Sequence, residues 1–386
     1  MCSARGHRQC SLPPAHGDRR DLTAATPKPP PPGDIMNRPL LLALATSATL
    51  AITACSSGTT GSSGSDAPAP EVKAAQIDAS GPLAGKTVTY IDGMPGNALM
   101  EGIAQGLATE LNAQGAKLVD VYQTNAQNQL DLAVANQRIQ EAIAQKVDAI
   151  VAFPLDANAI RPGVEAAKKA GIPLFIFQDL GGLDVTGKLA FPDQQRGRDT
   201  GEALAEIVGG EGEATVLSGI PTDNIEDAVA GAVEGLKAGG LDVVGDPANQ
   251  RNLKDDAPGA QQIAQGIFAQ HPDLDALVVY NSASATGAIA AAKQAGVLDH
   301  VKIATMAGED ANIAQLESGE LALSYDFGGT NYGKEMAGLV ARALKGEKLA
   351  NEVVEAPLGE IFTQDNVGDF VPWPERIQYV ELPHTY

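Results

Sequence analysis

Ala149-Ile-Val-Ala-Phe153, then Val164-Glu-Ala-Ala-Lys-Lys-Ala-Gly-Ile-Pro173, then Leu174-Phe-Ile-Phe177 follow one another in the first half of the chain. A short apolar run, an Ala-rich amphipathic stretch over about Ala159–Ala170 and a second apolar run read as strand, helix and strand. The same alternation extends in both directions. Upstream lie strands at Thr87–Ile91 and Lys117–Tyr122, a helix striped by Leu99, Ile103, Leu107 and Leu111, and a helix from about Leu130 to Gln145. After a Gly/Asp/Lys stretch at 181–188 the cycle restarts. Helices are expected at Asp199–Val208, Asp227–Lys237, Ala260–Ala269 and Thr286–Ala295, with strands at Thr215–Leu217, Asp242–Val244, Ala276–Tyr280 and Lys302–Thr305. Strands alternating with helices argue parallel sheets, so the chain is α/β with two doubly wound parallel-sheet lobes. Ligands of such sheets bind outside the carboxyl ends of the strands, which places a cleft between the lobes.

The front of the chain has a different character. Residues 1–35 are rich in Pro and Arg, with Pro29, Pro30, Pro31 and Pro32 in a row and no apolar period, so this part is expected to be a disordered or untranslated leader. A fresh start at Met36 is followed by Arg38 and the apolar run Leu40–Ala54, shorter than the roughly 20 residues that span a bilayer. The run closes on Ile52-Thr53-Ala54-Cys55 and passes into a Gly/Ser/Thr stretch. This resembles the bacterial lipobox, so 36–54 is read as a lipoprotein signal peptide, Cys55 as the lipidated residue and 55–85 as a flexible tether. Removing 1–54 takes away Cys2 and Cys10 and leaves Cys55 as the sole thiol, so the exported protein holds together without a disulfide.

Composition excludes several function classes. With 48 acidic against 27 basic residues and a net charge of −21, the chain lacks the basic surface that phosphate backbones require, and nucleic acid is not an expected partner. No Cys or His pair has metal-ligand spacing, so neither a metal nor another cofactor is expected. No nucleophile elbow, Walker loop, dinucleotide fingerprint or zinc-protease helix is visible, and the protein is not expected to be an enzyme.

The segments Ile143–Asp156, Val164–Pro173, His271–Asn281, Gly287-Ala-Ile-Ala-Ala-Ala, Ala314–Leu321 and Thr363–Val367 together resemble type I periplasmic sugar-binding proteins, the ribose-binding group, over roughly Lys86–Leu382. That resemblance implies lobes joined by a three-strand hinge, with the chain leaving the first lobe near Pro192 and returning near Asp326. The implied division is 86–192 plus 327–357 for the N-terminal lobe and 193–326 plus 358–386 for the C-terminal lobe. It also implies a monomeric extracytoplasmic receptor that delivers its solute to an ABC permease, here lipid-anchored on the outer face of the cytoplasmic membrane. Where the family places an Asp-Arg pair, this chain has Gln178 and Asp179. Where the family has aromatic residues after the first strand it has Pro95 and Gly96, and where the family has an Asn-Asp pair it has Asn281 and Ser282. The helix after Pro221 carries no Arg for the family's guanidinium clamp.

The strand ends supply the candidate ligand groups. On the first lobe these are Asp92, Met94, Asn97, Phe153, Asp156, Gln178 and Asp179. Across the cleft they are Thr222, Asn224, Asn281, Ser282 and Glu309, with Asp326 and Phe327 at the return strand. Carboxylates and amides suit adjacent hydroxyls, and Met94, Phe153, Tyr280 and Phe327 could cover the apolar faces of a sugar ring. Asn97 and Asp156 equally suit helix N-caps. A neutral sugar or polyol is the favoured ligand, because the acid-rich strand ends offer no visible counter-charge to an anion. A nucleoside or amine ligand, and a sensor that presents its solute to a membrane receptor, are the alternatives. Asn281→Ala is expected to weaken ligand binding while leaving the stability of the unliganded protein nearly unchanged.

Overall fold

The computed structural model describes residues 72–383 apart from 95, 126–130, 181 and 378. The leader, the signal peptide, Cys55, Pro95 and the start of the second helix at Leu130 therefore lie outside the described residues. Within them, β1 (Thr87–Asp92), α1 (Ala98–Ala113), β2 (Lys117–Tyr122), α2 (Leu132–Gln145), β3 (Ala149–Ala152), α3 (Ala157–Ala170), β4 (Leu174–Phe177) and β5 (Gly187–Ala190) build the first lobe. α4 (Asp193–Val208), β6 (Glu213–Leu217), α5 (Asp223–Ala238), β7 (Asp242–Val243), α6 (Ala257–Gln270), β8 (Leu274–Val279), α7 (Ser282–Ala295), β9 (Lys302–Thr305), α8 (Ile313–Glu317) and β10 (Leu323–Asp326) build the second. The chain then adds α9 (Gly329–Leu344) and β11 (Glu352–Glu355) to the first lobe, β12 (Glu360–Thr363) to the second, and ends through α10 (Trp373–Arg376).

Each lobe is a six-stranded sheet of the same winding, β11-β5-β4-β3-β1-β2 and β12-β10-β9-β8-β6-β7. All neighbours are parallel except β12, which runs antiparallel to β10. The central strands are buried, as parallel strands covered by helices on both faces must be, while the edge strands β2, β7, β11 and β12 are partly exposed. Three passages join the sheets, from β5 to α4, from β10 to α9 and from β11 to β12. This is the three-strand hinge, and each passage leaves from the carboxyl end of a strand, the edge that carries the candidate ligand groups.

Four features differ from the sequence reading. The stretch at 181–188 hides β5, whose alternation is broken by the buried Lys188. α4 starts at Asp193 rather than Asp199, because the polar Asp-Gln-Gln-Arg turn carries no apolar stripe yet buries Asp193 and Arg196. The residues read as tether reach into the fold, since Leu83 is buried and Lys73 pairs with Val380. Finally, the chain does not remain in the second lobe after 358. Gln105 Nε2 donates to Val380 O at 3.2 Å and its Oε1 accepts from Val380 N at 2.9 Å, while Asp120 N donates to Pro383 O at 3.1 Å. Residues 373–383 thus return to the first lobe, a fourth passage held by buried hydrogen bonds that local periodicity does not encode.

Candidate functional site

The loop after β1 turns sharply enough for the buried Asp92 carboxylate to accept the Met94 N–H at 2.9 Å. Burial pushes the Asp92 carboxyl up to about 6; the Met94 N–H pulls against the rise and the Glu101 charge adds to it. Beneath it, burial and the Asp92 charge raise Asp120 well above the ordinary range. Met94 is exposed. Asn97 Oδ1 accepts from Met100 N at 3.2 Å and Asp156 Oδ1 from Asn158 N at 2.7 Å, so both cap helices. Phe153 departs from its expected place on the cleft wall. Its ring is 5% exposed and lies 5.8 Å from Phe177 and 5.9 Å from Phe191, within the core.

At the end of β4, Gln178 takes left-handed backbone, φ 68°, and donates its N–H to Leu189 O at 2.8 Å. Asp179 follows, half exposed, and accepts from the Lys188 ammonium at 2.5 Å. A buried lysine on the missed strand β5 is therefore the counter-charge of a predicted site carboxylate. Its signal in the sequence is one Lys inside a short apolar run, which local pattern alone reads as loop.

In the second lobe one residue that the sequence reading missed gathers three that it named. Asp255, at φ 55°, accepts from Asn281 Nδ2 at 2.7 Å and from the Tyr280 hydroxyl, and its charge bears on Glu309. Asn281 Oδ1 also accepts from Ser284 N at 2.9 Å, capping α7. Burial raises the Glu309 carboxyl, the Asp310 and Asp255 charges add to the rise, and a hydrogen bond from Ser282 opposes it. Thr222 and Asn224 sit half buried at the start of α5, and Thr222 makes no side-chain cap.

The hinge holds the cations that the sequence reading did not place. Arg196 of α4 donates to Met306 O at 2.9 Å and to Asp193 at 2.5 Å, and its guanidinium lies 4.7 Å from the centroid of the Phe327 ring. Arg376 of α10 is ion-paired with the buried Asp326 and stands over Phe370 and Trp373. The expectation that the site carboxylates lack counter-charges is thus corrected: Asp179 and Asp326 each have one. Asp92, Asp255 and Glu309 remain as acceptors at the carboxyl edges. Among the described residues no group of three His, Cys, Asp or Glu could hold a metal ion, and no helix is long and apolar enough to cross a membrane.

Comparison with known proteins agrees with this architecture. A family model described as a periplasmic binding protein domain matches residues 94–348. The xylitol-binding protein of Mycolicibacterium smegmatis is 27% identical over 266 residues, 68% of this chain and 73% of that protein. The D-ribose/D-allose-binding protein of Pseudomonas aeruginosa is 29% identical over 173 residues, 43% of this chain, and the match spans about half (53%) of that protein. Among solved structures, a periplasmic ribose ABC transporter protein from Conexibacter woesei superimposes with a TM-score of 0.66 at 19% identity, covering 75% of this chain and 96% of that one.

Proposed function

Because the chain belongs to the periplasmic binding protein family, we propose that it is an extracytoplasmic solute receptor. In this reading it captures a neutral sugar or polyol between its lobes and delivers it to an ABC importer. The observation that carries the reading is the set of acceptors at the carboxyl edges, Asp92 on one lobe and Asp255, Asn281 and Glu309 on the other. A carboxylate accepts from two neighbouring hydroxyls and the amide both gives and takes, which is the pattern a polyol presents. The matched proteins named for ribose, allose and xylitol support the same ligand class. Charge supports it too. Asp92 and Glu309 are already penalised by burial, so a carboxylate or phosphate placed beside them would lose hydration next to like charges.

Function then follows from the hinge. A ligand that touches both edges favours the closed arrangement by the difference in its affinity for the two states, and the closed form is what a permease would recognise. The signal peptide and Cys55 lipid complete the proposal: the receptor acts tethered to the outer face of the membrane, as a monomer.

Titration calorimetry of the soluble protein with D-ribose, D-allose, xylitol and myo-inositol tests the ligand class, with ribose 5-phosphate as the anionic control. At least one neutral probe is expected to bind with micromolar affinity, about −8 kcal/mol, and to raise the melting temperature by several degrees in excess ligand. Binding of the phosphate alone would overturn the reading. For the anchor, Cys55→Ala is expected to release the protein from the membrane fraction, and unchanged fractionation would remove the lipid from the proposal.

A further inference from the structure

Leu253 reverses the usual arrangement of a loop. It lies between β7 and α6 and is 64% exposed, while the polar residues around it turn inward to partners. Asn252 is buried, its N–H donating to Ser218 O at 2.8 Å and its side-chain amide to Asp256 O at 2.9 Å and Ser284 Oγ at 3.2 Å. Arg251 is ion-paired with Glu226 at 2.6 Å, and Asp255 takes left-handed backbone, φ 55°, where it meets Asn281. Residues with a Cβ seldom adopt that conformation, so this loop is held in one shape by its partners. Its fixed shape presents a leucine to water.

A single exposed leucine carries no argument, but the topology gives this one a counterpart. The two sheets have the same winding, so β1 and β2 of the first lobe match β6 and β7 of the second. An exposed large apolar side chain follows each of these four strands: Met94 after β1, Leu132 at the start of α2 after β2, Ile220 after β6 and Leu253 after β7. All three hinge passages join carboxyl edges, so these edges face each other across the cleft. The hinge strands β5, β10 and β11 lie toward the opposite end of each sheet from β2 and β7. At about 4.8 Å per strand, β2 stands roughly 19 Å from β5, and a rotation about the hinge moves this far end the most. Matching strand order then sets Leu132 opposite Leu253, and Met94 opposite Ile220.

We propose that Leu132 and Leu253 form an apolar latch across the mouth of the cleft, flanked by Met94 and Ile220, which is made only when the lobes close. Burial of the two leucines against each other favours the closed arrangement without contact to the ligand. The latch therefore strengthens the binding of any ligand that closes the lobes by the same factor. The inference rests on the receptor reading for lobe closure and not on the identity of the ligand.

A cysteine pair reads the contact directly. In the full chain with Cys2, Cys10 and Cys55 replaced by serine, Leu132→Cys combined with Leu253→Cys is expected to form an intramolecular disulfide on mild oxidation without ligand. That bond requires the Cα atoms to approach within about 7 Å. Leu132→Cys combined with Ile207→Cys, at the end of α4 far from the carboxyl edge, should stay reduced. Calorimetry of Leu253→Ser with D-ribose, D-allose, xylitol and myo-inositol is expected to show the preferred wild-type probe bound about three- to tenfold more weakly. Unliganded Leu253→Ser should melt within about a degree of wild type, since the side chain is exposed. Failure of the first pair to oxidise faster than the control overturns the latch, as does a disulfide that joins two copies of the chain. Unchanged affinity in Leu253→Ser overturns it and leaves the sugar reading intact, and melting several degrees lower overturns it by making Leu253 part of the fold. An intramolecular disulfide in a protein that binds none of the neutral probes supports the latch and overturns the sugar reading.

Discussion

In the first lobe the helices and sheet close over aromatic rings. Tyr90, Phe153, Phe177, Phe191 and Tyr332 form a chain of contacts 4.7 to 6.0 Å apart beneath the cleft edge. The second lobe has the same strand order, and alanine and glycine bring its α4 and α5 together until backbone meets backbone, as Gly106 and Gly333 also do between α1 and α9 of the first lobe, but it has no such chain of rings among its described residues. A Cβ on Gly231 would sit 1.9 Å from Gln194 O, and one on Gly197 1.9 Å from Ala228 O, across the α4–α5 contact. The site groups differ in a parallel way. Asn281, Asp255 and Tyr280 of the second lobe are tied into a cap and a loop, whereas Asp92 of the first stands buried with the Met94 N–H as its hydrogen bond. One topology can thus hold its site groups in two ways, and the way each is held decides whether a site residue also carries the fold.

Gly231→Ala should strike the second lobe hardest. The methyl meets a backbone carbonyl that cannot swing aside, so a loss of about 3 kcal/mol is expected, a fall in melting temperature of roughly 6 to 10 °C. A melting temperature within a degree of wild type would show that α4 and α5 can separate freely, and the contrast between the lobes would lose its basis.

Asp92→Asn sharpens the other side of the comparison. The folded-state value of about 6 lies above the ordinary 3.8, so the folded protein binds this proton more tightly than the unfolded chain does. The group's contribution to stability is therefore greatest below pH 4 and is lost as pH rises through 6. The loss amounts to at most about 3 kcal/mol, at 1.36 kcal/mol per pH unit. Asp92→Asn removes that penalty. Denaturant titrations should find the unliganded variant more stable than wild type at pH 7.5, by up to about that amount, with the gain shrinking toward pH 4. An equal effect at both ends of that range would mean that Asp92 is not held as a buried acid. The same variant should bind the ligand more weakly.

Asn281→Ala tests whether a second-lobe site residue is also structural. The sequence reading left the stability of the unliganded protein unchanged, but the α7 cap and the Asp255 contact revise this to a loss of about 1 kcal/mol alongside weaker binding. Unchanged melting of the unliganded variant would restore the earlier expectation. The smallest effect is expected at Gly338 of α9, where an added Cβ has nothing within 4 Å. Gly338→Ala should gain about 0.5 to 1 kcal/mol by favouring the helix, seen as a small rise in the denaturation midpoint, and a loss would reveal a neighbour that the geometry does not contain.

The elements that could be read in advance are those whose burial pattern is written in consecutive residues. β2, β4 and β9 begin and end where the apolar runs do, and α1 presents the stripe of Leu99, Ile103, Leu107 and Leu111. β5 and the first turn of α4 were not legible, because Lys188, Asp193 and Arg196 are buried polar residues whose partners make their burial possible. Asp255 escaped for a related reason. It lies in an irregular stretch ahead of α6, and only the folded backbone brings it to Tyr280 and Asn281.

By itself the sequence determined two lobes of alternating strand and helix, with acid and amide groups following the strands, because period and order are local properties of a chain. Only the tertiary structure decided which charges meet. It paired Lys188 with Asp179 and Arg376 with Asp326, turned Phe153 into the core, and carried Trp373 and Arg376 back to the hinge. The tie that brings the C-terminal segment there joins Gln105 to Val380, residues 275 apart, and contact over such a separation depends on the closure of both lobes rather than on any pattern within a segment.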